Sequence, residues 1–259
     1  MLHNLISITI AFFGGFLPSV VWLIFWNHEK KNREPKRALI LAFLGGMAAV
    51  FLSLLFEKIM YTTNPDKLFS GDMFQSLLGW FKAIASQKNF ALNQFLLVTL
   101  FAPVIEEVLK FIFAYILVLR SKDDNEPIDP IIFMITTALG FAAIENMLFL
   151  IDPITSNNLH LSIYTGNLRF IGAMLLHTVS SATIGIFIGF NFFDKKYEEY
   201  FWGFVGLVCA IIIHSVFNFF MMSSGPNYLI VLEVIWIAVI IVLFILEKIK
   251  RIRLEKIEQ

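Results

Sequence analysis

The stretch Ala102-Pro103-Val104-Ile105-Glu106-Glu107-Val108-Leu109-Lys110 sets three ionisable side chains between Phe95-Leu96-Leu97-Val98 and Phe111-Ile112-Phe113-Ala114-Tyr115-Ile116-Leu117. The flanks are apolar enough for lipid, and a charge at the centre of a bilayer costs roughly 2.5–3.5 kcal/mol on insertion scales. Three charges together therefore need partners or a chemical task. Other apolar segments hold Glu145, His177 and His214. Carboxylates and imidazoles gathered inside a membrane are the material of a hydrolytic, metal-binding or proton-handling site.

The rest of the chain supports a membrane setting. It is 58% hydrophobic with 29 Phe in 259 residues, and its mean hydropathy is +0.76. Soluble domains are about 45–50% apolar, without blocks of about twenty apolar residues. The single Cys209 excludes an intrachain disulfide and argues against a cysteine metal site. No clustering of Lys and Arg with surface aromatics marks a nucleic-acid binder. The expected fold is an all-α polytopic transmembrane bundle, one membrane-embedded domain over residues 1–259. Seven spans are read at 5–26, 38–56, 91–119, 130–151, 167–193, 200–222 and 227–247. The first is read as an uncleaved helix, because no basic segment precedes it and no small-residue cleavage site follows.

Lys and Arg set the expected orientation. Five lie in 27–37, two in 120–129, two in 194–199 and five in the tail after 247, fourteen in all, against five on the other side. The N-terminus is therefore expected outside and the C-terminus in the cytoplasm, in what reads as a bacterial plasma membrane. In the outer loop 57–90, Met73, Phe74, Leu77, Leu78, Phe81 and Ile84 follow Asp72 at helical spacing, with Trp80 beside them. This predicts a short interfacial helix, packed on the bundle as a connector.

Depth tests whether the polar residues form one site. At 1.5 Å per residue, Glu145 lies about 10 Å, His214 about 12 Å, His177 about 15 Å and Glu106 about 16 Å below the outer ends of their spans. Four residues on four spans share one level in the outer half of the membrane. Lys110 follows Glu106 by four and Glu107 by three, so it can reach either carboxylate. Asn218 follows His214 by four, and Ser180 and Ser181 follow His177 on one helix side, where they are read as packing. Small residues in Gly140-Phe141-Ala142-Ala143 before Glu145-Asn146 would let a neighbouring helix approach closely. Glu233 and Arg169 are read as structural, Arg169 as an interface anchor.

Glu106-Glu107-x-x-Lys110, Gly140-Phe141-Ala142-x-x-Glu145-Asn146, His177 and His214-x-x-x-Asn218, in this order, resemble the motifs of PrsW-type intramembrane proteases. These belong to the clan of CAAX-processing and bacteriocin-protection membrane proteases. Glu34-Pro35 and Glu126-Pro127-Ile128-Asp129 are similar to the same branch, and the resemblance runs from about residue 18 to 218. The CAAX branch has His where this chain has Glu145, which argues against prenyl-protein processing.

The resemblance implies hydrolysis of a peptide bond in a membrane-anchored protein near its extracytoplasmic side; in the PrsW branch the target is an anti-sigma factor. Two schemes fit. In the leading one, Glu145, His177 and His214 hold a divalent metal, zinc by preference, and Glu106 or Glu107 is the general base. In the other, Glu106 activates water without a metal, His177 assists, and His214 with Asn218 donates to the oxyanion. Lys110 pairs with a glutamate in both. The alternatives are a proton- or ion-coupled transporter, which the absence of an inverted repeat disfavours, and a non-catalytic scaffold of the same clan.

Overall fold

The computed structural model describes residues 2–28, 35–62, 72–88, 90–156, 158–193 and 195–257. The chain begins with α1 (Leu2–His28), α2 (Lys36–Thr62) and α3 (Asp72–Gln87). A third apolar stretch follows as α4 (Leu92–Leu96), a π-helical turn (Leu97–Phe101), α5 (Ala102–Ala114) and a second π-turn (Tyr115–Leu119). Then come α6 (Asp129–Thr155), α7 (Leu159–Leu168), a third π-turn (Arg169–Ala173) and α8 (Met174–Phe190). The chain ends with α9 (Lys196–Ser223), a 3₁₀ turn (Gly225–Asn227) and α10 (Tyr228–Ile257). No strand occurs among the described residues.

Among the described residues, six helical stretches are long and apolar enough to cross a membrane: Leu5–His28, Lys36–Thr62, Asp129–Thr155, His160–Phe190, Tyr197–Ser223 and Tyr228–Arg251. The expected span 91–119 is not among them. It is helical from Leu92 to Leu119, but two π-turns divide it and it carries Glu106, Glu107 and Lys110. The loop helix predicted after Asp72 is present as α3. Trp80 stacks on Phe219 of α9 with ring centroids 5.7 Å apart, so α3 packs on the bundle. Side chains 72–78 of its expected apolar stripe lie outside the described residues, as does Glu34.

Helix α6 is the centre of the bundle. Residues 129–144 are buried without interruption, and α1, α2 and α8 pack around them. Close crossing is possible because α6 and its neighbours present glycine at the contacts. A Cβ on Gly46 would collide with the Thr137 carbonyl, and one on Gly140 with the Phe43 carbonyl, so α2 and α6 meet backbone to backbone. The small-residue patch before Glu145 thus does what its composition predicts. The large exposed side chains, among them Leu17, Phe51, Ile116, Phe204 and Phe244, form the outward apolar surface that lipid requires.

Candidate active site

Glu106 and Glu107 are consecutive on α5, so they point about 100° apart and enter different surroundings. Glu107 is fully buried. Its Oε1 accepts from Lys110 Nζ at 2.6 Å, Ser180 Oγ at 2.8 Å and His214 Nδ1 at 2.8 Å, and its Oε2 accepts from Ser181 Oγ at 3.2 Å. Four donors from three helices saturate this carboxylate. Of the two glutamates within its reach, Lys110 has taken Glu107, and Ser180 and Ser181 are ligands of that carboxylate as well as packing residues.

Glu106 has the opposite character. Its Oε2 is buried and has no hydrogen-bond partner. The atom lies 3.8 Å from Nδ1 of His177 and 3.9 Å from Nε2 of His214. The imidazoles face each other nearly at right angles with centroids 5.1 Å apart. Because Nδ1–H of His214 is committed to Glu107, its neutral ring turns the Nε2 lone pair toward Glu106. Two acceptors confronting each other in a buried space call for a cation between them.

His177 is held on both sides. Lys110 Nζ donates to its Nδ1 at 3.0 Å, and its Nε2–H donates to Glu145 Oε2 at 2.8 Å. Glu145 is in turn paired with Arg169, whose guanidinium also donates through Nε to Asn146 Oδ1 at 2.5 Å and lies 3.9 Å from the centre of the Phe149 ring. Arg169 is therefore part of the site and not the interface anchor its position suggests. The π-turn that it opens explains how it gets there. Eight residues along a regular α-helix rotate about 80° out of register, whereas absorbing one residue in a π-turn returns Arg169 to within about 20° of His177.

The π-turn at Leu97–Phe101 places Asn218 in a similar way. A π-turn carbonyl looks five residues ahead for its donor, and for Val98 that residue is Pro103, which has no N–H. Asn218 Nδ2 supplies the missing donor at 2.9 Å. Its amide remains on the wall of a cavity of about 260 Å³, together with Glu106, Glu145, Arg169, His177 and His214. Glu57, at the far end of α2 and assigned from sequence to a loop, joins the same wall. Glu233 is exposed on α10.

The model of the family described as PrsW family intramembrane metalloprotease matches residues 34–246. The chain belongs to the PrsW family. It is similar to Protease PrsW of Clostridioides difficile (strain 630), 24% identical over 96% of this chain and 90% of the relative. Protease PrsW of Geobacillus kaustophilus (strain HTA426) is 26% identical over 82% and 79%. That of Bacillus subtilis (strain 168) is 22% identical over 80% of each chain. No solved structure matches the chain. As a PrsW-family member with six apolar helices long enough to cross a bilayer, the protein is an integral membrane protein and an intramembrane protease.

A metal is implied by the family description, and the buried residues fit one. Glu106, His177 and His214 each offer a ligand atom, all within 4.8 Å of one another. The partnerless Glu106 Oε2 and the inward lone pair of His214 are donors that an ion would satisfy. Glu145, expected in this set, is instead bound to Arg169 and His177.

Proposed function

We propose that this PrsW-family protein hydrolyses a peptide bond of a single-pass membrane protein near its extracytoplasmic boundary, in the cavity floored by Glu106. Residues 1–259 act as one membrane domain with seven crossings, the stretch Leu92–Leu119 supplying the seventh, and with the N-terminus outside. The observation that carries the reading is the contrast between adjacent glutamates: Glu107 is saturated by four donors, while Glu106 Oε2 is buried and partnerless beside two imidazoles.

On this reading Glu106, His177 and His214 would hold the divalent ion, and two His with one Glu is a donor set that suits zinc. Bound there, the ion would polarise the scissile carbonyl and acidify water. The chain's own residues do the remainder. Glu106, whose Oε2 would face the ion, uses its second carboxylate oxygen to receive the proton of the attacking water and return it to the departing amine. The second amide hydrogen of Asn218, on the cavity wall, serves the developing oxyanion. Glu145 fixes the His177 ring through Nε2, Nδ1 is left for the ion once Lys110 draws back onto Glu107, and Glu107 fixes His214. Glu107 and Lys110 are thus positioning residues, and the ligand role expected of Glu145 passes to Glu106.

The ammonium of Lys110 on His177 Nδ1 favours a second reading, in which Glu106 works without an ion. An anti-sigma factor is the target that the PrsW resemblance implies. Incubating the purified protein with a membrane-anchored candidate, with the metal content measured in parallel, tests both readings. Cleavage by metal-loaded and not by metal-depleted protein supports the first, and full activity after depletion selects the second.

A further inference from the structure

The cavity has an acidic residue that the hydrolytic scheme does not use. Glu57 stands near the Thr62 end of α2, half-buried, while Glu106 on the same wall is 5% exposed, so Glu57 is at the rim and Glu106 at the floor. Three carboxylates line this space, Glu57, Glu106 and Glu145. One guanidinium lines it too, and Arg169 has committed it to Glu145. Among the described residues no cation pairs with Glu57. Beyond it lies the buried, partnerless Glu106 Oε2, which marks the cavity as a place that a ligand enters. A peptide reaching Glu106 from the rim passes Glu57. A neutral residue there would strip water from the carboxylate and return nothing, whereas a basic one replaces that water with a charge-assisted hydrogen bond.

We propose that Glu57 is a substrate-recognition residue that accepts the ammonium or guanidinium of a Lys or Arg close to the scissile bond, on the part of the substrate facing the Thr62 end of α2. This rests on the proteolytic reading of the same cavity. Specificity of this kind is a difference between substrates, so it shows in a ratio of kcat/KM and not in activity alone.

The test uses the full-length protein in liposomes and a single-pass reporter peptide whose juxtamembrane stretch carries one Lys, Met or Glu, moved position by position. At one or two positions wild type is expected to prefer Lys over Met by about fivefold, the scale of a partly exposed ion pair. Glu57→Gln should bring that ratio close to one, and Glu57→Lys should invert the order so that Glu is preferred to Lys. Reporters cleaved by wild type and spared by Glu106→Gln, but with no preference for Lys at any position, would overturn the Glu57 assignment alone. A Lys preference that persists in Glu57→Gln and Glu57→Lys would do the same. If wild type and Glu106→Gln leave every reporter equally intact, the proteolytic reading itself fails, and the Glu57 assignment with it.

Discussion

Lys110 Nζ donates to Nδ1 of His177, 67 residues further along the chain, at 3.0 Å. The same ammonium binds Glu107 Oε1 at 2.6 Å, so one buried cation joins the helix of the glutamates to the helix of the histidine. Its own burial is complete. The cost of placing it there is offset by these contacts and by the Phe141 ring, whose centre lies 4.9 Å from the ammonium.

Removing that cation should therefore damage folding before chemistry. Lys110→Met leaves Glu107 as a buried carboxylate short of its closest counter-charge, a loss of about 3–5 kcal/mol. The expected result is lower accumulation in the membrane and a lower thermal midpoint in detergent. Wild-type accumulation and midpoint would show that the pair is not needed for the fold.

Arg169 should act through Glu145 and His177. Supporting partners of this kind typically contribute ten- to hundredfold in activity or metal affinity. Arg169→Met is expected to lose about that much in kcat/KM. Arg169→Lys should recover part of the loss, since it keeps the charge but not the paired contacts to Glu145 and Asn146. Equal loss in both variants would favour a purely steric role against Phe149.

The metal reading makes a separate prediction about binding. His177→Ala and His214→Ala should each copurify with substoichiometric metal, and a chelator should inhibit wild type in a way that added zinc reverses. Glu145→Gln should retain more metal than either histidine variant, because Glu145 is bound to Arg169 and stands outside the Glu106, His177 and His214 group. Elemental analysis of the four purified proteins checks this.

Much of this site was legible in the sequence because ionisable groups cannot hide in apolar segments. Glu106, Glu107, Lys110, Glu145, His177 and His214 were all marked by their apolar surroundings, and the depths of Glu106, Glu145, His177 and His214 along their spans agree. The sequence did not divide the labour between Glu106 and Glu107. They are adjacent, and which one faces the cavity depends on the rotation of α5 against α8 and α9. Arg169 reads as an interface anchor from its place near a span end; a regular helix would turn it away from His177, and a π-turn is a local change of register that composition does not announce. Pro103, five residues after Val98, was the one readable trace of such a turn. Glu57 escaped because it lies where a span is expected to end, the place at which a charge needs no explanation.

Orientation can be checked independently of chemistry. After replacement of Cys209, single cysteines at Arg37 or Lys122 should resist a membrane-impermeant thiol reagent in intact cells, and one at Lys88 should react. The fourteen-to-five distribution of basic residues predicts this pattern. Labelling at Arg37 from outside would reverse the topology and move the proposed cut to the cytoplasmic side.

The central claim is that adjacent carboxylates divide chemistry from architecture, and one paired measurement tests it: the cleavage rate and thermal midpoint of Glu106→Gln and Glu107→Gln, purified side by side with wild type. Glu106→Gln should be inactive, a fall of at least about a hundredfold for loss of a group that handles the proton, with a thermal midpoint, compared between metal-depleted proteins, at or above that of wild type, since without an ion it replaces a buried carboxyl oxygen that has no partner. Glu107→Gln should melt below wild type, because it weakens four hydrogen bonds at once. A Glu106→Gln protein that cleaves at the wild-type rate, or a Glu107→Gln protein as stable as wild type, would contradict the account.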